Sequence, residues 1–117
     1  AETPGRWRYA AAGGGTARFE APGGAMLFAL RCDKARHIVT LLRPDAPNSA
    51  ALTVTTSYGS RTLSALPGQG ASLPAADTLL DQIAFSRGRF TIDAAGMAEL
   101  VLPAWAEPAR VIEDCRG

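Results

Sequence analysis

The stretch Thr16-Ala17-Arg18-Phe19-Glu20-Ala21-Pro22-Gly23-Gly24-Ala25-Met26-Leu27-Phe28-Ala29-Leu30-Arg31-Cys32 holds two strand signatures on either side of a turn. In its first part Ala17, Phe19 and Ala21 alternate with Arg18 and Glu20, the period of two that places apolar side chains on one face of a strand. Pro22-Gly23-Gly24 breaks the pattern with turn chemistry. The second part, Ala25 to Cys32, is more continuously apolar, as a central strand covered on both faces should be. It ends on one of the only two cysteines in the chain; the other, Cys115, lies 83 positions on.

Working outward, Arg6-Trp7-Arg8-Tyr9 alternates charge with aromatic and reads as a strand forming a hairpin with the Thr16 segment across Gly13-Gly14-Gly15. Downstream, Asp33-Lys34-Ala35-Arg36 turns into a strand over His37 to Arg43, and Pro44, Asp45, Pro47 and Asn48 form a loop. Leu52, Val54 and Thr56 alternate with Thr53, Thr55 and Ser57 in a β-branched run that returns through Tyr58-Gly59-Ser60 to Arg61–Leu66. Pro67 to Pro74 reads as a Gly/Pro loop.

After that loop the period changes. Asp77 is an N-cap for a helix of about ten residues carrying Leu79, Leu80, Ile83 and Ala84 on one face and ending at Gly88. A last hairpin follows, Arg89 to Asp93 and Glu99 to Leu102, turning at Ala95-Gly96. From Ala104 the spacing of Trp105, Ala109, Ile112 and Cys115 reads as the apolar stripe of a closing helix, with Trp105 packed beside Leu79, Leu80 and Ile83. Pro108 falls in its first turn, where a missing N–H costs nothing.

The expected fold is therefore mainly β: an antiparallel sandwich or half-open barrel of about eight strands, two short covering helices and one Cys32–Cys115 disulfide. At 117 residues the chain matches one domain, 1–117, with an N-terminal hairpin region at 1–24 and a disulfide-closed core at 25–117. A hydrophobic fraction of 47% and a charged fraction of 20% are ordinary globular values. The disulfide implies an oxidising compartment. Together with the start Ala1-Glu2-Thr3-Pro4, it leads us to expect a periplasmic or secreted protein whose signal peptide has been removed before Ala1.

The sequence argues against most familiar chemistries. The longest uncharged apolar stretch, Ala21 to Leu30, is far shorter than the ~20 residues a membrane-spanning helix needs. Eleven arginines and one lysine balance eleven acids to a formal charge of +1, and their spread along the chain does not suggest nucleic-acid binding. Two cysteines and a lone histidine, His37, do not complete a zinc set. There is no Gly-x-Ser-x-Gly elbow, and Gly13-Gly14-Gly15 and Gly68-Gln69-Gly70 lack what a phosphate loop requires. Neither a catalytic residue, a metal nor a cofactor is expected. The most suggestive polar groups are Tyr58, Arg61, Ser86, Arg87 and Arg89, with Ser57 and Ser60 beside them, where Arg87 and Arg89 could present a fork to an anion.

The segments Thr53–Gly59, Leu79–Phe90, Leu102–Trp105 and on through Glu113–Arg116 resemble those of small exported alphaproteobacterial proteins of the sphingomonad type. At the level of layout, over residues 25–116, the chain is also similar to the invasion-associated locus B proteins. The resemblance implies an exported β-rich fold and carries no catalytic residue with it. The expected function is a non-enzymatic periplasmic or secreted interaction module whose partner is another protein or an envelope component. Two alternatives stand beside it: an inhibitor of a hydrolase, using the Pro67–Pro74 loop as its exposed anchor, and a small hydrolase working through carboxylates.

Overall fold

A computed structural model describes residues 2–44, 51–65 and 70–117. Nine strands among them form two antiparallel sheets. The first sheet contains β1 (Arg6–Ala10), β2 (Thr16–Glu20), β3 (Met26–Asp33), β4 (Ile38–Leu42) and β7 (Ala71–Pro74), in the order β1-β2-β3-β4-β7. The second contains β5 (Leu52–Thr56), β6 (Gly59–Leu63), β8 (Arg89–Ala94) and β9 (Leu100–Pro103), in the order β6-β5-β8-β9. Helix α1 (Thr78–Ala84) joins β7 to β8, and α2 (Ala106–Arg116) closes the chain. The architecture is a sandwich and not a closed barrel.

The core lies where alternation puts it. Trp7, Ala17, Phe19, Phe28, Leu30, Cys32, Val39, Leu41 and Leu73 face inward from the first sheet, and Leu52, Val54, Phe90, Ile92, Leu100 and Leu102 from the second. Trp7, only 4% exposed, occupies the seam. It packs edge-on against Phe19 at 5.3 Å and Phe28 at 6.5 Å, stacks on Phe90 of the other sheet at 6.2 Å, and donates its indole N–H to the Pro103 carbonyl at 2.7 Å. A second tie between the sheets is the buried Arg43, which donates to the carbonyls of Ile92 and Ala98.

Helix α2 lies across β1–β4 and packs against α1. Its buried stripe is Pro108, Val111, Ile112 and Cys115. The Cys32–Cys115 disulfide joins it to the central strand with 5.6 Å between Cα atoms. Polar contacts fix the rest of its length. Tyr9 donates to Asp114 at 3.0 Å with Arg110 stacked 4.1 Å over its ring, and Arg116 donates to the Ala75 carbonyl and to Asp81, both at 2.6 Å.

Three expectations are corrected. Trp105 is not in the core: it is the N-cap residue of α2, with extended φ/ψ of −87° and −176°, and is 49% exposed. Its spacing to Ala109 obeys the helical period only if residue 105 is itself helical; an extended residue turns its side chain elsewhere. Residues 71–74 are not loop. They form β7, which pairs with β4, burying Ala71 and Leu73 and leaving Ser72 and Pro74 exposed; Pro67, Gly68 and Gln69, and the expected loop at Asp45, Pro47 and Asn48, lie outside the described residues. Finally, α1 spans seven residues and not ten, ending at Ala84 with Phe85 as its cap. Gly88, with φ of 76°, serves the following corner instead.

Asp77 does cap α1, accepting from the Leu79 N–H at 2.9 Å. The same carboxylate receives both guanidinium arms of Arg61, at 2.7 and 2.9 Å. That bidentate bond holds the Asp77 carboxyl below the usual carboxylate range, with the Leu79 amide and the Arg61 charge adding to the effect while partial burial opposes it. The sign follows: a depressed folded pKa contributes stability that is complete above the ordinary carboxylate pKa and is lost as pH falls through the folded value. Asp77→Ala should cost about 1 kcal/mol as a lost cap. Asp77→Asn keeps a capping oxygen but loses the charge, so its stability should fall less steeply than wild type below about pH 5 in denaturant titrations. An unchanged acid limb would show that the pair adds nothing.

Candidate functional site: an aromatic corner

Three large apolar or aromatic side chains are exposed among the described residues: Tyr58 at 59%, Phe85 at 63% and Trp105 at 49%. One alone would be ordinary on a folded surface. These three sit on connections that the backbone and two serines tie together.

The tie is built from Ser57 and Ser86. Ser57, in the β5–β6 turn, donates its N–H to Ser86 Oγ at 3.0 Å, and its own Oγ accepts from the Arg87 N–H at 2.9 Å. Ser86, buried, donates its hydroxyl to the Arg89 carbonyl at 2.6 Å. The β5–β6 turn is thereby held against the α1–β8 connection by reciprocal side-chain-to-backbone bonds. Within the turn, the Tyr58 N–H donates to Thr56 Oγ1 at 3.1 Å, fixing the backbone that carries the tyrosine. The β9–α2 connection joins the same corner: the Ala104 N–H donates to the Gly88 carbonyl at 3.0 Å, and Pro103 pairs with Arg89 in the β8–β9 ladder.

Each exposed ring is therefore one residue away from an anchored position. Tyr58 follows Ser57, Phe85 precedes Ser86, and Trp105 follows Ala104. Arg87 and Arg89, both exposed, lie at the same α1–β8 corner. Rings held on a hydrogen-bonded frame lose little conformational freedom on contact, and Tyr, Trp and Arg are the side chains that most often carry binding energy at protein interfaces.

Of the residues singled out from sequence, Tyr58, Ser86, Arg87 and Arg89 fall at this corner. Within it Ser86 is a strut, not a contact. Arg61 is on β6 with its guanidinium committed to Asp77, and Ser60 pairs with Thr55 at 2.9 Å. Cys32 and Cys115 are bonded and buried. Phe85 and Trp105 are the two site residues that sequence reasoning missed: the spacing from Ala104 counts Trp105 on an apolar stripe, whereas Phe85 falls outside the Leu79–Leu80–Ile83–Ala84 stripe and no periodic signal marks it. His37 donates from Nδ1 to the Cys115 carbonyl at 2.8 Å, bracing the end of α2. Compared with protein-family models, curated proteins and solved structures, the chain matches none of them.

Proposed function

We propose that this protein is an exported, non-enzymatic interaction module that binds a partner protein through the Tyr58–Phe85–Trp105 corner. The observation that carries the reading is the placement of three exposed rings and two exposed arginines on one frame locked by Ser57 and Ser86. An apolar centre bordered by Arg is the composition of an interface core with its rim. Leaving three large rings in water has no benefit to the isolated fold, so their concentration at one corner argues for a partner that covers them. The disulfide supports export, since such bonds persist in oxidising compartments.

The test is capture by immobilised protein from envelope and secreted fractions, comparing wild type with a Tyr58→Ala/Phe85→Ala/Trp105→Ala variant. We expect the captured protein to be lost from the variant while the melting temperature stays within a few degrees. Tryptophan emission supplies a second readout. Trp7 is shielded, so a blue shift on binding would report Trp105, and it should vanish in Trp105→Ala. A capture profile indifferent to all three substitutions would refute the corner. Hydrolytic turnover by the wild type, of ester, glycan or peptide, would refute the non-enzymatic reading.

A further inference from the structure

The chain is electrically lopsided. Residues 1–44 hold seven Arg and Lys against three Asp and Glu, a formal +4, while residues 45–117 hold five against eight, a formal −3. The near-neutral total conceals this division.

The fold places four of these seven cations on one surface. Alternation along β1, β2 and β3 turns Trp7, Ala17, Phe19, Phe28 and Leu30 inward and Arg6, Arg8, Arg18 and Arg31 outward, all four exposed. Register places them side by side. Arg8 lies opposite Arg18, Arg6 opposite Glu20, and Arg31 opposite Thr16 on one side and Thr40 on the other. Neighbouring positions on such a face are ~5 Å apart across strands and ~7 Å apart along them.

Glu20 bridges two of the four, accepting from Arg8 at 2.7 Å and Arg18 at 2.8 Å, and so keeps like charges together on adjacent strands. Asp33, at the far end of β3, is matched by Arg36 at 3.9 Å. The side chains of Arg6 and Arg31 have no hydrogen-bond or ion-pair partner among the described residues. At the Arg6 end the face opens into a cleft of about 590 Å³, lined by Arg6, Arg8, Glu20 and the Ala21–Gly24 turn. Beyond Arg31 the same cross-strand row continues as the hydroxyls of Thr40 and Ser72, bonded to each other at 3.0 Å.

We propose that this outer face of the five-stranded sheet binds an acidic polysaccharide, a uronate chain lying across β1–β3 with one end in the Arg6 cleft. The choice of ligand rests on what accompanies the arginines. Hydroxyls at Thr16, Thr40 and Ser72 suit a ligand that alternates carboxylates with sugar hydroxyls. The large exposed rings of the described residues are on the aromatic corner, so this face has no stacking platform for single-stranded nucleic acid and no apolar wedge for a bilayer. The site is separate from the aromatic corner and does not depend on it.

Binding of sodium polygalacturonate, measured by calorimetry at 20 and 200 mM salt with neutral dextran as control, tests the assignment. We expect binding that weakens at the higher salt, and no binding to dextran. Arg6→Gln/Arg31→Gln changes two exposed, unpartnered side chains and should reduce affinity at least tenfold with the melting temperature unchanged. Arg87→Gln/Arg89→Gln, with the same loss of charge, should retain wild-type affinity for the polyuronate. Failure of the wild type to bind, or equal loss in both double variants, would overturn the site. Tighter binding to phosphatidylglycerol vesicles or to an oligo-dT strand than to the polyuronate would overturn the ligand class.

Discussion

Replacing Cys32 and Cys115 together with alanine is expected to lower stability by roughly 4–5 kcal/mol, the value the chain-entropy model gives for opening a loop of this length. A domain with a typical total stability of about 5–15 kcal/mol would keep little margin after such a loss. The bond joins the inner face of β3 to the last turn of α2, so it holds the final helix against the strand at the centre of the first sheet. Guanidinium unfolding of the variant, and of wild type with and without reductant, measures the effect; the reduced wild type should match the variant. A loss below about 1 kcal/mol would assign the docking of α2 to Tyr9, His37 and Arg116 instead.

Trp7→Ala should be nearly as damaging, at about 3–5 kcal/mol, because it empties a site packed on all sides and leaves the Pro103 carbonyl without its donor. Trp7→Phe separates the two contributions. It retains a ring beside Phe19, Phe28 and Phe90 but cannot donate to Pro103, and should cost about 1–3 kcal/mol. Trp105→Ala provides the contrast within one molecule, since an exposed cap residue should change stability by less than about 1 kcal/mol. Equal losses at the two tryptophans in denaturant unfolding would contradict the placement of both.

The two tryptophans also show where sequence reasoning succeeds and where it stops. Trp7 stands in a strand that alternates strictly with arginine, and alternation identifies its face without ambiguity once the segment is extended. Trp105 stands at the junction of a strand and a helix, where the period itself changes. One residue of uncertainty in the helix start decides whether its ring is counted on the apolar stripe. Phe85 lies off the Leu79–Leu80–Ile83–Ala84 stripe at the end of α1, so no period marked it either way. A short strand such as β7 escaped for a different reason: Ala71 to Pro74 has only four residues beside glycines and prolines, and its pairing with β4 is a long-range contact that no local pattern announces.

The candidate surfaces follow the same division. Tyr58, Ser86, Arg87 and Arg89 could be named from residue chemistry, but their union with Phe85 and Trp105 depends on hydrogen bonds from Ser57 to Ser86 and from Ala104 to Gly88. Those bonds join segments far apart in the chain. The arginine face likewise needed the register that sets Arg8 against Arg18 and Arg31 between two threonines.

What the sequence by itself determined is the β character, the inward faces of β1, β2 and β5, the cap at Asp77 and the pairing of the only two cysteines. Each rests on a local period, a cap preference or simple counting. What only the tertiary structure decided is the division of nine strands into two sheets, the exposure of Phe85 and Trp105, and the neighbours of every arginine. Those are set by which distant segments pair and in what register, and a one-residue shift in register or helix start carries a side chain from the core to the surface.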